Sequence, residues 1–288
     1  MQLRKGWLFN FYFPIFEAME IEKKRGILKE SVALKSVNLG RTMDVDFYLP
    51  THVTNPAEMS LLLINDGQDM EKLGLETMLD ELYGNEEISA LFCVGIHAGK
   101  ERKMEYGTAT ILDYKGRGAK ALRYTQFIFE ELFPYIQKTY LVNSFKEKAF
   151  AGFSLGALSA LDIVWNNPSG FSKVGIFSGS LWWRIKDQND KTYSDDTDRI
   201  MHQQIRNGKY KEGLKFFFEC GAGDEEDDRN NNGIIDSIDD TLDLIKELVA
   251  KGYDIKKDIE YLELPDGKHD VETWAEAMPV FLKWGWGK

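Results

Sequence analysis

The chain has 288 residues and 43% hydrophobic content, which allows one large α/β domain or two smaller ones with a substantial core. Its formal net charge is −11. This charge argues against a nucleic-acid-binding protein and against adsorption to anionic membranes, because those partners are also negative. Cys93 and Cys220 lie in apolar runs, so we expect buried free thiols and no disulfide.

The N-terminal residues allow several interpretations. Two basic residues precede an apolar stretch over residues 7–16, as in a secretory signal, but polar and proline residues interrupt it and no small-residue cleavage site follows. The stretch is too short to span a bilayer. A membrane-touching or core-docking segment and a true start at Met19 are alternatives. We predict an extension of unassigned role over residues 1–30, a folded domain over residues 31–288, and a cytoplasmic location, with a periplasmic or secreted one left open.

Apolar runs and helical patterns alternate along the rest of the chain. Eight runs predict strands, of which the first two form a hairpin: residues 32–37, 43–49, 61–65, 91–96, 148–152, 173–177, 214–219 and 259–264. Periodic patterns predict helices over residues 121–140, 157–164, 241–251 and 271–284. A hairpin followed by repeated strand–helix units predicts a mostly parallel central sheet with helices on both faces. Functional residues should then collect at the carboxyl ends of its strands.

The most informative segment is the pentapeptide at residues 152–156, which has the sequence Gly-Phe-Ser-Leu-Gly. A predicted strand precedes it and a predicted helix follows, which is the context of a nucleophile elbow. Such a turn exposes its serine, here Ser154, and points the backbone N–H of Leu155 at the same spot. The sequence therefore predicts a nucleophilic serine. The alternative is a plain glycine-rich turn with a buried serine.

A serine hydroxyl needs a base to take its proton, and the chain offers four histidines. His269 lies between the last predicted strand and the last helix, where an α/β-hydrolase has its base; the alternative is a loop histidine that caps the helix. His97 follows another strand and is a weaker candidate for the base and a candidate substrate contact. His52 and His202 are interpreted as surface residues.

The base in turn needs a carboxylate that holds its tautomer. We expect this carboxylate in the acidic loop that follows the predicted strand at residues 214–219. Asp224 is the first acidic residue of the loop and the preferred candidate, with Glu225 and Glu226 as alternatives.

A second oxyanion donor is expected directly after the predicted strand at residues 61–65. There the chain reads Asp66-Gly67-Gln68, and Gly67 allows a close backbone approach. The backbone N–H of Gln68 would pair with the N–H that follows the nucleophile. The alternative is that this segment is only a turn.

Five segments resemble a known family in sequence and in order: residues 65–68 (Asn-Asp-Gly-Gln), 152–156, 177–183 (Phe-Ser-Gly-Ser-Leu-Trp-Trp), 221–224 (Gly-Ala-Gly-Asp) and 267–270 (Gly-Lys-His-Asp). Together they resemble the esterase family of α/β-hydrolases that includes enterochelin-esterase-like proteins, esterase D and bacterial feruloyl or acetyl-xylan esterases. The resemblance covers residues 33–286 and extends to Arg102, Glu105 and Tyr106. It implies an α/β-hydrolase fold.

The resemblance also implies roles for individual residues. Ser154 would be the nucleophile, Asp224 the acid and His269 the base, with Gln68 and Leu155 as oxyanion donors. Candidate substrate contacts are Asp66, His97, Trp182 and Trp183, although adjacent tryptophans after a strand otherwise pack at the core rim. One departure from the family pattern is Ala157, where many members have a second glycine.

A second pattern lies in the acidic loop, where residues 228–239 match an EF-hand calcium loop. Oxygen ligands fall at the expected positions, with Gly233 at the sharp turn: Asp228, Asn230, Asn232, Ile234 through its carbonyl, Asp236 and Asp239. Asp239 stands where glutamate is usual, which resembles dockerin-like loops, and no standard entering helix precedes the loop. We expect a structural Ca²⁺. The alternative is a solvated acidic loop in which Asp239 or Asp240 caps a helix.

These patterns predict a serine carboxylic-ester hydrolase that works through an acyl-enzyme and needs no cofactor for catalysis. Its partner would be a small-molecule or carbohydrate-linked ester. Two alternatives remain: an acyltransferase or thioesterase on the same triad, and a non-catalytic calcium-dependent binding protein.

Overall fold

The computed structural model of the protein describes residues 26–51, 53 and 55–288. The predicted extension over residues 1–30 lies mostly outside this part of the chain, as do the alternative start at Met19 and His52. The first strand begins at Ile27, so the sheet includes residues that the sequence assigned to the extension.

One mixed sheet organises the described residues. Its strands are β1 (Ile27–Ser36), β2 (Arg41–Pro50), β3 (Ser60–Asn65), β4 (Leu91–Ile96), β5 (Lys148–Phe153), β6 (Lys173–Phe177), β7 (Lys215–Gly223) and β8 (Ile259–Lys268). They lie in the order β1-β2-β4-β3-β5-β6-β7-β8. The pairs β1–β2 and β2–β4 are antiparallel and the remaining pairs are parallel. The predicted α/β-hydrolase fold with a leading hairpin is confirmed.

Helices connect the strands on both sides of the sheet. They are α1 (Met70–Leu73), α2 (Leu75–Gly84), α3 (Arg102–Glu105), α4 (Ala121–Gln126), α5 (Phe133–Tyr140), α6 (Leu155–Asn166), α7 (Asp195–Asp198), α8 (Ile200–Asn207), α9 (Asp236–Lys251) and α10 (Val271–Trp286). A π-helical segment, Phe127–Leu132, joins α4 to α5, so the predicted helix over residues 121–140 is helical throughout but not regular. Helix α9 begins at Asp236 rather than at residue 241, because the last part of the acidic loop forms its first turn.

The core lies on both faces of the sheet. Strands β3 and β4 are buried along their whole length, as a parallel sheet covered twice requires. One face packs against α4 to α6, α8 and α9, and the other against α1, α2 and α10. Cys93 and Cys220 are buried free thiols, as predicted. In the part of the chain that the structure covers, no helix has the length and apolar character needed to cross a membrane.

Candidate active site

The turn between β5 and α6 carries Ser154 at the carboxyl edge of the sheet. Its backbone angles are φ 53° and ψ −119°, a strained conformation for a residue with a side chain. The turn is held by two backbone bonds: Ser154 N–H donates to the Phe177 carbonyl at 2.9 Å, and Ser180 N–H donates to the Ser154 carbonyl at 3.0 Å. Because α6 begins at Leu155, the N–H of that residue has no acceptor inside the helix and faces the turn.

The glycines on either side of Ser154 allow the strand and the helix to pass closely. A Cβ on Gly152 would lie 2.5 Å from the carbonyl carbon of Gly156, and a Cβ on Gly156 would lie 2.6 Å from Oδ2 of Asp66. Neither position has room for a side chain. The elbow predicted from the pentapeptide is therefore present, with a geometric reason for both glycines.

His269 directly follows β8 and lies beside the carboxylate of Asp224, which directly follows β7. The distance from His269 Nδ1 to Asp224 Oδ1 is 3.9 Å. The Asp224 side chain is 1% exposed, whereas that of His269 is 40% exposed and accessible to a substrate. This distance is longer than that of a hydrogen bond, so the contact between the two side chains in this structure is electrostatic.

Trp274 connects His269 to the elbow. Its indole stacks on Phe153, the residue before the serine, with ring centroids 4.9 Å apart, and meets the His269 ring edge-on at 5.4 Å. The Oγ of Ser154 lies 3.4 Å from the Oγ of Ser180. The nucleophile candidate, the base candidate and their aromatic support therefore lie at the same edge of the sheet.

Partial burial shifts the pKa values of both members of the histidine–aspartate pair. It lowers the pKa of His269 below its usual value, against the opposing charge of Asp224, and the nearby Arg102 guanidinium lowers that pKa further. Burial also raises the pKa of Asp224, against a hydrogen bond from Ser178 and the charge of His269. A lowered imidazole pKa keeps the ring neutral at pH 7, which is the form that can accept a proton.

A polar cluster that sequence reasoning missed lies behind Asp224. Ser178, at φ 44°, donates to Asp224 Oδ1 at 3.1 Å and accepts from Trp274 Nε1 at 3.0 Å. Its Oγ also lies 3.5 Å from Oε2 of the fully buried Glu219. Because the hydroxyl has only one proton, it can donate to only one of these two carboxyl groups at a time, and the contact with Asp224 is the shorter one.

Glu219 is a carboxylic acid rather than a carboxylate at pH 7. Burial raises its pKa to about 8, and the charge of Asp224 contributes to the same shift. Its Oε1 has no hydrogen-bond partner among the described residues, which favours the neutral form further. The available sequence signal was a single acidic residue at the end of the apolar run Phe216, Phe217 and Phe218 in β7.

The predicted oxyanion segment forms a turn directly after β3. Asp66 has φ 60° and ψ 44°, and a 3₁₀ turn spans Gly67–Asp69. A Cβ on Gly67 would lie 2.4 Å from the carbonyl carbon of Gly95, so this glycine is required for contact with β4. The side-chain oxygen of Gln68 accepts from the Ala98 N–H at 2.9 Å, which fixes the residue. That the backbone N–H of Gln68 is an oxyanion donor stays a prediction.

The expectation that Asp66 contacts substrate is corrected by its environment. Its carboxylate is 4% exposed and makes a bidentate pair with Arg102, with Nε–Oδ1 2.7 Å and Nη2–Oδ2 2.8 Å. Arg102 also donates to the Phe153 carbonyl at 3.3 Å, and the Asp66 N–H donates to the Tyr106 hydroxyl at 3.2 Å. Both carboxylate oxygens are buried and accept hydrogen bonds from Arg102, so Asp66 holds that arginine against the Phe153 carbonyl at the elbow. Arg102, which sequence reasoning quoted only for the resemblance, is its partner.

The two tryptophans have different environments. Trp183 is 0% exposed, so the prediction that it contacts substrate is wrong: its indole packs in the core against Gly107 and Gly118, where an added Cβ would lie 2.8 Å and 3.4 Å away. Trp182 is half-buried and lines a surface cavity. Its role as a substrate contact stays a prediction.

The other two described histidines lie outside the Ser154 contacts. His97 Nε2 is 3.1 Å from Asp46 Oδ2 in β2, so its ring is already engaged, and its substrate contact stays a prediction. The interpretation of His202 as a surface residue is wrong. It is 1% exposed in α8, with Nε2 2.8 Å from the Asp240 carbonyl, and burial lowers its pKa to about 3. A polar face of α8 covered by α9 was not visible in the sequence pattern.

The acidic loop has several hydrogen bonds typical of a calcium loop. Asp228 accepts from the N–H groups of Asn232 and Gly233 at 3.1 Å and 2.9 Å, and Gly233 has φ 88°. Asp239 Oδ2 accepts from the side-chain amides of Asn230 and Asn232, both at 2.8 Å. These contacts bring together the side chains at the third, fifth and twelfth positions.

The residue at the ninth position of the loop, Asp236, is paired with Arg229 instead of with the other proposed ligands. Asp236 Oδ1 accepts from the Arg229 N–H at 2.8 Å, and Asp236 Oδ2 lies 3.2 Å from Arg229 Nη1. No cluster of three His, Cys, Asp or Glu side chains suited to a metal occurs among the described residues. A cation in this loop would therefore depend on asparagine oxygens and on backbone carbonyls such as that of Ile234.

Known proteins resemble the chain at the level of family and fold. A family model described as "Putative esterase" matches residues 36–284. The uncharacterized protein YbbA of Bacillus subtilis (strain 168) is 24% identical over 139 residues, which are 46% of this chain and 55% of that protein.

Solved structures share the fold at low sequence identity. The enterobactin esterase FES of Shigella flexneri matches 90% of this chain and 59% of its own with a TM-score of 0.67 and 20% identity. A ferulic acid esterase matches 90% of this chain and 97% of its own with a TM-score of 0.65 and 18% identity. The chain thus spans little more than half the length of YbbA and of FES.

Proposed function

Because the chain belongs to this esterase family, we propose that it hydrolyses carboxylic esters through an acyl-enzyme on Ser154. The observation that carries the proposal is the strained elbow at φ 53°, in which Ser154 directly precedes the first N–H of α6. His269, whose pKa is lowered, lies at the same edge of the sheet through its contact with Trp274, which stacks on Phe153. A serine in a relaxed turn, or one far from any base, would not be activated.

The chemistry follows from the positions of these groups. Ser154 Oγ attacks the ester carbonyl while His269 Nε2 takes its proton, and the N–H groups of Leu155 and Gln68 hold the oxygen that becomes negative. His269 then gives the proton to the leaving alcohol. A water attacks the acyl-enzyme, again losing its proton to His269, and the free acid leaves with Ser154 restored. Asp224 holds the imidazole and stabilises its charged form.

The substrate is proposed only as a class. Two structural relatives carry the names enterobactin esterase and ferulic acid esterase. The feature that we propose for this chain from those names is an ester bond in the substrate. A small-molecule or carbohydrate-linked ester suits a site at the open carboxyl edge of the sheet, where His269 is 40% exposed.

The test uses a fluorophosphonate probe followed by product analysis. We expect the probe to label Ser154 in a peptide map, and a panel of 4-nitrophenyl esters to give free acids in water. A new ester as the main product in the presence of a competing alcohol would favour an acyltransferase, and a thioester preference a thioesterase. Absence of both labelling and turnover would reject the proposal in favour of a binding protein.

We further propose that the loop at residues 228–239 binds a structural Ca²⁺. Its oxygen donors and glycine turn are of the kind that Ca²⁺ prefers, and Asp239 already meets two asparagine side chains. Binding would require those amides to turn their oxygens toward the ion. Asp228, Asn230, Asn232, Ile234, Asp236 and Asp239 are the proposed ligands, and the ion would stabilise the loop that follows Asp224.

Calcium is expected to raise the melting temperature by about 5 °C at a concentration 100-fold above its dissociation constant. Asp239→Asn should remove most of that shift because it weakens the last ligand. Glu226→Gln is the matched control, since it removes one exposed negative charge outside the loop. An equal shift in both variants, or none in the wild type, measured by differential scanning fluorimetry after EDTA treatment, would rule out a specific site.

A further inference from the structure

A surface cavity of about 210 Å³ is lined in part by residues that follow Ser180 and Asp224 closely in the chain. One wall contains Trp182, which is two residues beyond Ser180, and Ser180 Oγ lies 3.4 Å from Ser154 Oγ. The lining also contains Glu225, the neighbour of Asp224. Because pockets for whole ligands usually have about 300–1,000 Å³, this cavity suits one part of a substrate whose ester bond reaches Ser154.

The wall that contains Trp182 is cationic. It includes Lys115, Arg117 and Arg184. Arg117 is neutralised, since its Nε donates to Asp113 Oδ2 at 2.6 Å. Lys115 lies over the Tyr114 ring at 5.1 Å and has no ion pair with any described residue. In a chain of net charge −11, unpaired cations grouped in one cavity require an explanation.

Arg184 is the most unusual of these residues. Its guanidinium carbon lies 6.0 Å, 5.8 Å and 5.6 Å from the ring centres of Tyr114, Trp182 and Tyr193. Its Nε is buried and has no hydrogen-bond partner among the described residues. A buried donor without a partner is costly, and the three rings hold this one in a fixed position at the cavity wall.

Among the described residues, no acidic side chain of the lining forms an ion pair with Lys115 or Arg184. Asp236 is paired with Arg229, with Oδ2–Nη1 at 3.2 Å. Burial raises the pKa of Glu225 to about 6, so this carboxyl is still mostly ionised at pH 7 and loses its charge only in more acidic solution. Asp227, the third acidic residue of the cavity lining, is exposed to solvent. The lining thus contains carboxyl groups as well as cations, and its fixed positive feature is the Arg184 guanidinium held by three rings, whose natural complement is an anion.

We propose that this cavity binds a carboxylate carried by the ester substrate, with Arg184 as its main contact and Lys115 as a second one. The inference rests on the proposed esterase function and adds to it a substrate class, acidic esters. A planar guanidinium matches a carboxylate through two parallel hydrogen bonds. The neighbouring aromatic rings accommodate the apolar part that links the carboxylate to the scissile bond.

The experiment compares pairs of esters that differ only in one charge. Mono-4-nitrophenyl glutarate and its 4-carbamoylbutanoate analogue test a carboxylate on the acyl half, and 4-acetoxybenzoate and 4-acetoxybenzamide test one on the alcohol half. We expect kcat/KM to favour the carboxylate about tenfold or more in one of the two pairs, mainly through a lower KM. The preference should shrink in high salt.

Variants assign the preference to the cavity. Arg184→Gln should bring the charged-to-neutral ratio of kcat/KM close to one, and Lys115→Gln should lower it by a smaller factor. Arg123→Gln, which removes an exposed arginine outside the cavity, should keep both the ratio and the activity. Folding of each variant is checked by fluorophosphonate labelling of Ser154, which does not require the cavity.

Each outcome decides between the two proposals. Wild-type ratios near or below one in both pairs, with the neutral esters still hydrolysed, would overturn the cavity assignment and leave the esterase proposal intact. A ratio that survives Arg184→Gln in a labelled, folded variant would do the same. Failure of all four esters together with failure of labelling would overturn the esterase proposal, and the cavity assignment with it.

Discussion

Ser154→Ala is expected to lower kcat/KM for a 4-nitrophenyl ester by roughly 10⁴-fold or more, because no other group can form the acyl-enzyme. The backbone should be unaffected, since alanine meets the same strain at φ 53° as serine does. The melting temperature should therefore stay within a few degrees of the wild-type value. The measurement is steady-state hydrolysis together with thermal unfolding of the same preparation.

The matched control for this change is Ser144→Ala. Ser144 is exposed in the segment between α5 and β5, so its hydroxyl has no part in the proposed chemistry. Its loss should leave kcat/KM within twofold of the wild type. Unchanged hydrolysis by the Ser154→Ala protein would mean that the elbow is not the site of attack, whatever the outcome of the control.

The elbow was predictable because its determinants are local. Gly152 and Gly156 are each required by a backbone or side-chain atom less than 3 Å from a hypothetical Cβ, and a strand and a helix flank them in sequence. The succession of strands and helices along the chain also followed from the alternation of apolar runs and helical patterns. Each of these features depends on residues that are close together in the chain, where sequence patterns are most informative.

The predictions that were wrong, and the residue that was missed, depend on contacts between residues far apart in the chain. Asp66 was expected to face substrate, but its partner Arg102 comes from a helix that lies beyond the next strand. Trp183 and His202 were expected at accessible positions, but elements far away in sequence cover them. Glu219 was not singled out because its importance depends on Ser178 and Asp224, which meet only in the folded chain. Side-chain partners that are distant in sequence cannot be paired from spacing alone.

Replacement of each of two neighbouring acids, Asp224 and Glu219, by its amide should have very different effects on activity. Asp224→Asn is expected to lower kcat about 10³- to 10⁴-fold, because an amide favours the wrong tautomer of His269 and does not stabilise its charged form. Glu219→Gln should retain activity within a few-fold at pH 7, since the carboxyl is already neutral there and glutamine has nearly the same shape. The measurement is the pH profile of kcat and kcat/KM for both variants.

Stability gives an independent readout of the same assignment. The folded-state pKa of Glu219, about 8, lies above the ordinary value of 4.5, so its protonated form stabilises the fold at low pH. That contribution is lost at about 1.4 kcal/mol per pH unit as the pH rises between those two values. Urea unfolding should show a steeper decline in the wild type than in Glu219→Gln, in which Asp162 and Glu225, whose pKa values burial raises to about 6, still contribute. Loss of activity in Glu219→Gln, with activity kept in Asp224→Asn, would transfer the role of histidine partner from Asp224 to Glu219.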